Sequence, residues 1–185
     1  MHVNHYDVLL LHAVIDLVNE PPTSPTGLNR RWLDAGLPVE DRPDTRDLSA
    51  VQEYLQSWSL LIDADTEQAR VAQLNMMLAR YTTHPIVTGH DGSQWHLHFR
   101  PDDASFSGIL TAACTAAIAR YLTDRGVQRL GRCALPECSN AYLDHSRPGR
   151  QRYCCHTCAN RDAVRRHRKA TAGANRPVVH ASQIG

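Results

Sequence analysis

Leu48, Val51, Leu55, Trp58 and Leu61 recur at steps of three and four, the spacing of one helix face, and predict a helix over Thr45–Ile62. A second stripe, Val71, Leu74, Leu78 and Tyr81, predicts a helix over Thr66–Tyr81 with Asp65 as its N-cap. A third, carrying Ile109, Leu110, Ala113, Ala117 and Tyr121 inward, runs through Phe106–Arg125 and ends at Gly126. The apolar run Val8–Val18 reads as a buried helix halted before Pro21-Pro22, because proline disfavours helical geometry in the residue preceding it. A loop over 21–27 and a short helix over Leu28–Gly36 follow. Near residue 90 the period changes: Trp95, Leu97 and Phe99 alternate with His96 and His98, and Asp91-Gly92 before them predicts a β-hairpin. The fold expected for residues 1–128 is mainly helical with one small hairpin.

At 185 residues the chain has room for one domain, or for a core domain with a small module, and a large multidomain enzyme is excluded. No apolar run approaches the ~18–20 residues of a membrane helix, and the start, Met-His-Val-Asn-His-Tyr-Asp, lacks the features of a signal peptide. A soluble, cytoplasmic protein with no membrane partner is expected. The net charge of +1 speaks against nucleic acid until it is split along the chain. Residues 1–128 carry −7 and residues 129–169 carry +7. The acidic part should repel DNA and so turn the basic part toward it. All the basic residues but Lys169 are arginines, which suit bidentate contacts with phosphate or guanine.

The basic part also holds five of the six cysteines: Cys133 and Cys138, then Cys154, Cys155 and Cys158. In an unexported protein, paired cysteines flanking a turn-rich stretch argue for tetrahedral zinc rather than disulfides. Such a module is too small to bury a core alone, and one structural Zn2+ contributes on the order of 10 kcal/mol of folding free energy. Cys133, Cys138 and Cys158 are clear ligands. The fourth is Cys154 or Cys155, and spacing alone leans to Cys155. Between the knuckles, Ala141-Tyr142-Leu143 and Arg152-Tyr153 flank Ser146-Arg147-Pro148-Gly149 and predict a small hairpin.

Several runs in this segment resemble the CGNR zinc finger family: Cys133-x4-Cys138, Tyr142-Leu143-Asp144-x-Ser146-Arg147, Arg152-Tyr153-Cys154 and Cys158-Ala159-Asn160-Arg161. Ala159 stands where the family has its name-giving glycine, a change a helical position accepts. The resemblance implies a treble-clef-like finger ending in a basic helix, with Cys154 as the fourth ligand and Cys155 spare. The first 128 residues resemble, in order and size, the ABATE domain that precedes such fingers in stress-induced transcriptional regulators. The carrying features are Asp16-Leu17-Val18-Asn19, Leu28-x3-Trp32-Leu33 and Gly36-Leu37.

A helix after Cys158 would place Arg161, Arg165 and Arg168 on one face, with Arg166 and Lys169 beside it and Ala163 and Val164 toward the zinc. A short basic helix pinned by a metal fits the major groove of double-stranded DNA. Arg147, Arg150 and Arg152 suit phosphates, with Ser146 as a further contact. Asn160 either reads adenine or ties the helix to the knuckle, and Asp144 orients Arg147 or Arg152 or caps a turn. The acidic part is expected to form a homodimer or bind a small-molecule effector, in a pocket near Trp32, Trp58, Trp95, His96 and His98. Buried tryptophans are more often core, and the His96/His98 pair, like His2, His5 and His12, more often a solvated surface than a metal site. Asp144-His145-x2-Pro148-Gly149 echoes an HNH-type nuclease, but nine residues between His145 and Cys155 are too few for that unit, and no enzyme is expected. A protein-binding zinc knuckle is the other alternative. The adjacent thiols also suggest oxidation of Cys155 with Cys154, ejecting zinc.

Overall fold

The computed structural model describes residues 5–37, 41–89 and 95–174. His2, the Asp91-Gly92 turn and the tail beyond residue 174 lie outside the described residues. The elements in chain order begin with α1 (His5–Asn19), α2 (Pro25–Asp34), α3 (Thr45–Ile62) and α4 (Glu67–Tyr81). Strands β1 (Ile86–Thr88) and β2 (His96–His98) pair antiparallel, and α5 (Phe106–Arg125) follows. A 3-10 turn leads into β3 (Leu130–Arg132), which pairs with β4 (Ala141–Leu143), and α6 (His156–Ala174) is the last element among the described residues. The architecture is mostly helical with two small strand pairs.

The helix starts are set by local chemistry. Asp44 caps α3 by accepting from the backbone N–H of Arg46 and Asp47, and Asp47 returns the bond by accepting from Asp44 N at 3.1 Å. Asp47 also accepts from Ser107 N at 2.9 Å, which ties the starts of α3 and α5 together. At α4 the cap is Thr66 rather than Asp65, its hydroxyl accepting from Ala69 N at 3.1 Å. α2 starts earlier than its apolar pattern implied. Ser24 caps it and Pro25 takes the first-turn position, where a missing N–H costs nothing, so part of the expected loop is helix.

α5 is the centre of the core, buried on nearly every side and packed by α1, α3 and α4. Against the expectation that no apolar run approaches the length of a membrane helix, it is long and apolar enough to cross a membrane by length and composition, and its burial in the core accounts for that apolarity. The expected α4 stripe holds at Leu74, Leu78 and Tyr81 but fails at Val71. Leu74 and Met77 are buried while Val71 is exposed, because Arg70, one turn before Leu74, is drawn to the same side.

The break in charge at residue 128 is not a break in packing. Leu130, Ala141 and Leu143 of the second hairpin belong to the same hydrophobic cluster as the helices before them. The Arg70 guanidinium donates to the carbonyls of Leu61, Ile62 and Ala64 at the end of α3, and to those of Val127 and Leu130 at the start of the basic segment. Asn19 bonds both backbone groups of Ala141, accepting at 2.6 Å and donating at 3.1 Å. Arg132 clasps Asp63 through two bonds of 2.8 and 2.9 Å. Tyr121 donates to the Asp144 carbonyl at 2.8 Å. Beside it the rings of His12 and His145 stack at 4.8 Å between centroids.

Two outcomes are expected. Arg70→Met leaves buried carbonyls on both sides of the junction without a donor and should cost about 2–4 kcal/mol, seen as a Tm lowered by roughly 5–10 °C; an unchanged melt would show that water replaces the guanidinium. Burial, then the neighbouring His12 charge, hold His145 below the ordinary histidine value, with Arg125 acting the same way and Asp144 opposing. The unfolded chain therefore takes up this proton first, so stability is full above about 6.5 and falls as pH drops through the folded value. Melts between pH 7 and 5 should show the decline, and His145→Phe should flatten it.

Candidate metal centre

The loop between β3 and β4 carries the first cysteine pair, and the start of α6 carries the second. Cys133 N donates to the Asn140 carbonyl at 2.9 Å, and Cys138 N to the Leu135 carbonyl at 2.9 Å, which folds 133–138 into a tight knuckle over the buried Leu135. Ala134 N takes the Arg152 carbonyl at 2.7 Å and draws the second cysteine run against it. The hairpin expected between 141–143 and 152–153 is not formed by strand pairing; the two runs are linked instead by the Tyr142 hydroxyl donating to the Gln151 carbonyl at 2.8 Å. The observed partner of β4 is β3, because Leu143 and Leu130 share the core whereas Arg152 is exposed.

The Sγ atoms of Cys133, Cys138, Cys154 and Cys158 all lie within 4.8 Å of one another. Cys154 is 3.7 Å from Cys138 and 3.6 Å from Cys158. Four thiolates at ~2.3 Å around a tetrahedral zinc stand about 3.8 Å apart, so the set suits one structural Zn2+. Cys158 sits inside the first turn of α6 rather than before it, so the helix begins at the metal cluster. Cys155 is exposed and outside the cluster; its carbonyl accepts from Ala159 N at 3.2 Å as the residue leading into α6. Spacing leaned to the wrong member of the pair: Cys155 is the exposed one, and its sulfur is not among the four that lie together, whereas the family resemblance had pointed to Cys154. Cys114 is fully buried in α5, where burial pushes its thiol far up, so it is inert.

Residues 129–170 match the family model of the CGNR zinc finger. No curated protein matches the chain. The matched segment begins at the turn into β3 and ends within α6, so the CGNR finger includes the hairpin that completes the helical core.

Around the finger, acidic side chains fix the shape of the basic ones. Asp144 is almost fully buried and accepts from the Ser146 N–H at 2.8 Å, the Ser146 hydroxyl at 2.5 Å and the Gln151 N–H at 3.1 Å. These bonds hold its carboxyl below the usual range. Its arginine neighbour is Arg129, at 3.8 Å, not Arg147 or Arg152. Gly149 closes this loop at φ +67°, and a Cβ there would meet the Arg129 guanidinium at 2.9 Å. Arg147, Arg150 and Arg152 are exposed. Arg150 and Arg152, with Tyr153 and His156, line an open groove of about 340 Å³ beside the start of α6.

On α6 the inward residues are Cys158 and Asp162, while Ala163 and Val164, expected against the zinc, face outward. The cysteine fixes the helix phase, and one turn on from it stands Asp162. Arg165 and Arg166 both bond Asp162, and Arg161 lies 3.6 Å from Glu137 of the knuckle. Asn160 reaches back to His156 Nδ1 at 3.2 Å, within the Cys154–Cys158 run. Among the described residues no carboxylate lies within 4 Å of Arg147, Arg150, Arg152, Arg168 or Lys169.

The residues suggested as an effector pocket are not brought together. Trp32 and Trp58 are sealed in the core, whereas Trp95 is 79% exposed on the first hairpin. His96 and His98 do point the same way, their Nε2 atoms 3.1 Å apart, but among the described residues no third metal ligand joins them.

Zinc stoichiometry separates the two neighbouring thiols. Cys154→Ser should lose the one bound zinc per chain and unfold the finger, whereas Cys155→Ser should retain it, as read by a colorimetric chelator. Unchanged zinc release under peroxide in Cys155→Ser would remove the oxidation idea.

Proposed function

We propose that the protein is a zinc-dependent, sequence-specific DNA-binding transcriptional regulator, acting in the cytoplasm as a homodimer on double-stranded DNA. The observation that carries this reading is the placement of unneutralised cations: five of them, Arg147, Arg150, Arg152, Arg168 and Lys169, stand on the finger's loop and on a 19-residue helix rooted at the cysteine cluster. Exposed arginines on a helix anchored at one end by metal suit a groove, and those on the adjoining loop suit the phosphates that flank it. Arg161, Arg165 and Arg166 add charge in fixed positions. The three acidic residues of 129–169 each have an arginine partner within the finger, so none is left to repel a phosphate.

The resemblance of residues 1–128 to the ABATE domain supports a sensing or dimerising role for the helical part, in a protein that is not an enzyme. A small-molecule effector acting there would have to enter elsewhere than at Trp32 and Trp58. The shared core gives such a signal a direct path, since strands β3 and β4 of the finger pack on α1 and α3.

Selection from a random duplex library should enrich a defined sequence arranged as an inverted repeat, and a zinc chelator should abolish the enrichment. Affinity should fall with salt at roughly 0.9 log units per phosphate contact, a slope of about 4–5 for each protomer and about 9 for the dimer. Absence of any enrichment with zinc present would sink the specific-regulator reading, and enrichment of single half-sites would remove the homodimer.

A further inference from the structure

Asp162 is the most heavily bonded side chain of α6. Its Oδ1 accepts from Arg165 Nε at 3.0 Å and also from a terminal nitrogen of the same guanidinium; its Oδ2 accepts from the Tyr153 hydroxyl at 2.7 Å and from Arg166 Nε at 3.0 Å. The Tyr153 bond, then Arg165, hold the carboxyl down to about 2, so it is ionised at any working pH. Tyr153 precedes the metal ligand Cys154, and the carboxylate is thereby fixed relative to the cysteine cluster as well as to the helix.

The two arginines are held differently. Arg165 spends its lateral edge, Nε and one terminal nitrogen, on the carboxylate, and its side chain is 37% exposed. Arg166 is held by Nε and is 67% exposed, with its terminal pair of nitrogens left toward solvent. A guanidinium is planar, so fixing Nε fixes the direction of the whole fork, and the fork matches the O6 and N7 acceptors of guanine. Arg168 and Lys169 have no such holder and suit phosphates, which position without specifying sequence.

We propose that Arg166 is the specificity-determining residue of the DNA contact, reading a guanine through its terminal nitrogens, and that the buried carboxylate of Asp162 is its positioning residue. The proposal rests on the DNA-binding reading above. A merely structural Asp162 would stabilise α6 through spaced ion pairs, and its loss would weaken all sequences alike.

The test compares the full-length zinc-loaded protein with Arg166→Lys, Asp162→Asn and Arg168→Ala on the selected duplex and on every single-base-pair variant of it. Arg166→Lys keeps the charge but loses the fork, so preference for guanine at one position should fall by about 5- to 150-fold, with the salt slope unchanged. Asp162→Asn should relax preference at that same position. Arg168→Ala should weaken all duplexes equally and lower the salt slope by about one per protomer, or about two for the dimer. Each variant must bind one zinc per chain, and Asp162→Glu replaces Asp162→Asn if the latter does not. Retention of the wild-type base preferences by Arg166→Lys overturns the proposal. A relaxed Arg166→Lys beside an unrelaxed Asp162 variant overturns the positioning role. If the wild type itself enriches no sequence, the DNA-binding reading fails, and this proposal fails with it.

Discussion

The guanidinium of Arg70 joins the two parts of this protein that differ most in charge. Its donors go to backbone carbonyls, three from the end of α3 and two from the segment entering β3. The last carbonyls of a helix lack intrahelical partners, and so do those of a chain turning into a short strand. One cation answers both needs, and burial lowers its own pKa without a carboxylate in direct contact. The consequence is a fixed angle between the helical core and the hairpin that carries the first cysteine pair. Asn19 on β4 and Arg132 on Asp63 hold the same junction from other sides.

That junction changes the meaning of the charge asymmetry. An acidic part and a basic part suggest two bodies on a tether, yet Leu130, Ala141 and Leu143 of the finger lie in the helices' own core. Zinc therefore has less to stabilise than an isolated finger would ask of it, since half of the hairpin is paid for by apolar burial. What the metal does hold is the remainder: the knuckle at 133–138 and the root of α6, whose few apolar contacts are the cysteines themselves, Leu135 and Tyr153. Within the finger, Asp144, Glu137 and Asp162 each take arginines. The net charge of +7 thus divides into cations that build the finger and cations that remain available on its surface.

α3 and α5 were legible to the residue, because an unbroken apolar stripe and a clear stop fix both ends of each. α2 was legible only in part: Ser24 and Pro25 carry a helix-start signal that a loop-like composition obscures. The α4 stripe was legible at Leu74, Leu78 and Tyr81 but not at its start, where Arg70 finds the carbonyls of Val127 and Leu130, far away in sequence. The same limit applied to the candidate site. Four cysteines and a basic helix could be read directly, and the family resemblance chose Cys154 over Cys155 where spacing did not, but the outward turn of Val164 and the burial of Asp162 depend on where the first knuckle sits.

The sequence by itself determined the helical class, the existence of a four-cysteine centre and the charge of the helix beside it, because periodicity, ligand type and charge are local properties. Only the tertiary structure decided that Arg70 joins the finger to the helices, that Asp144 belongs with Arg129, and that the Tyr153 hydroxyl meets Asp162. Each of those is a pairing between a buried polar group and a partner that the fold must first bring within hydrogen-bonding distance, and no local pattern encodes which partner arrives.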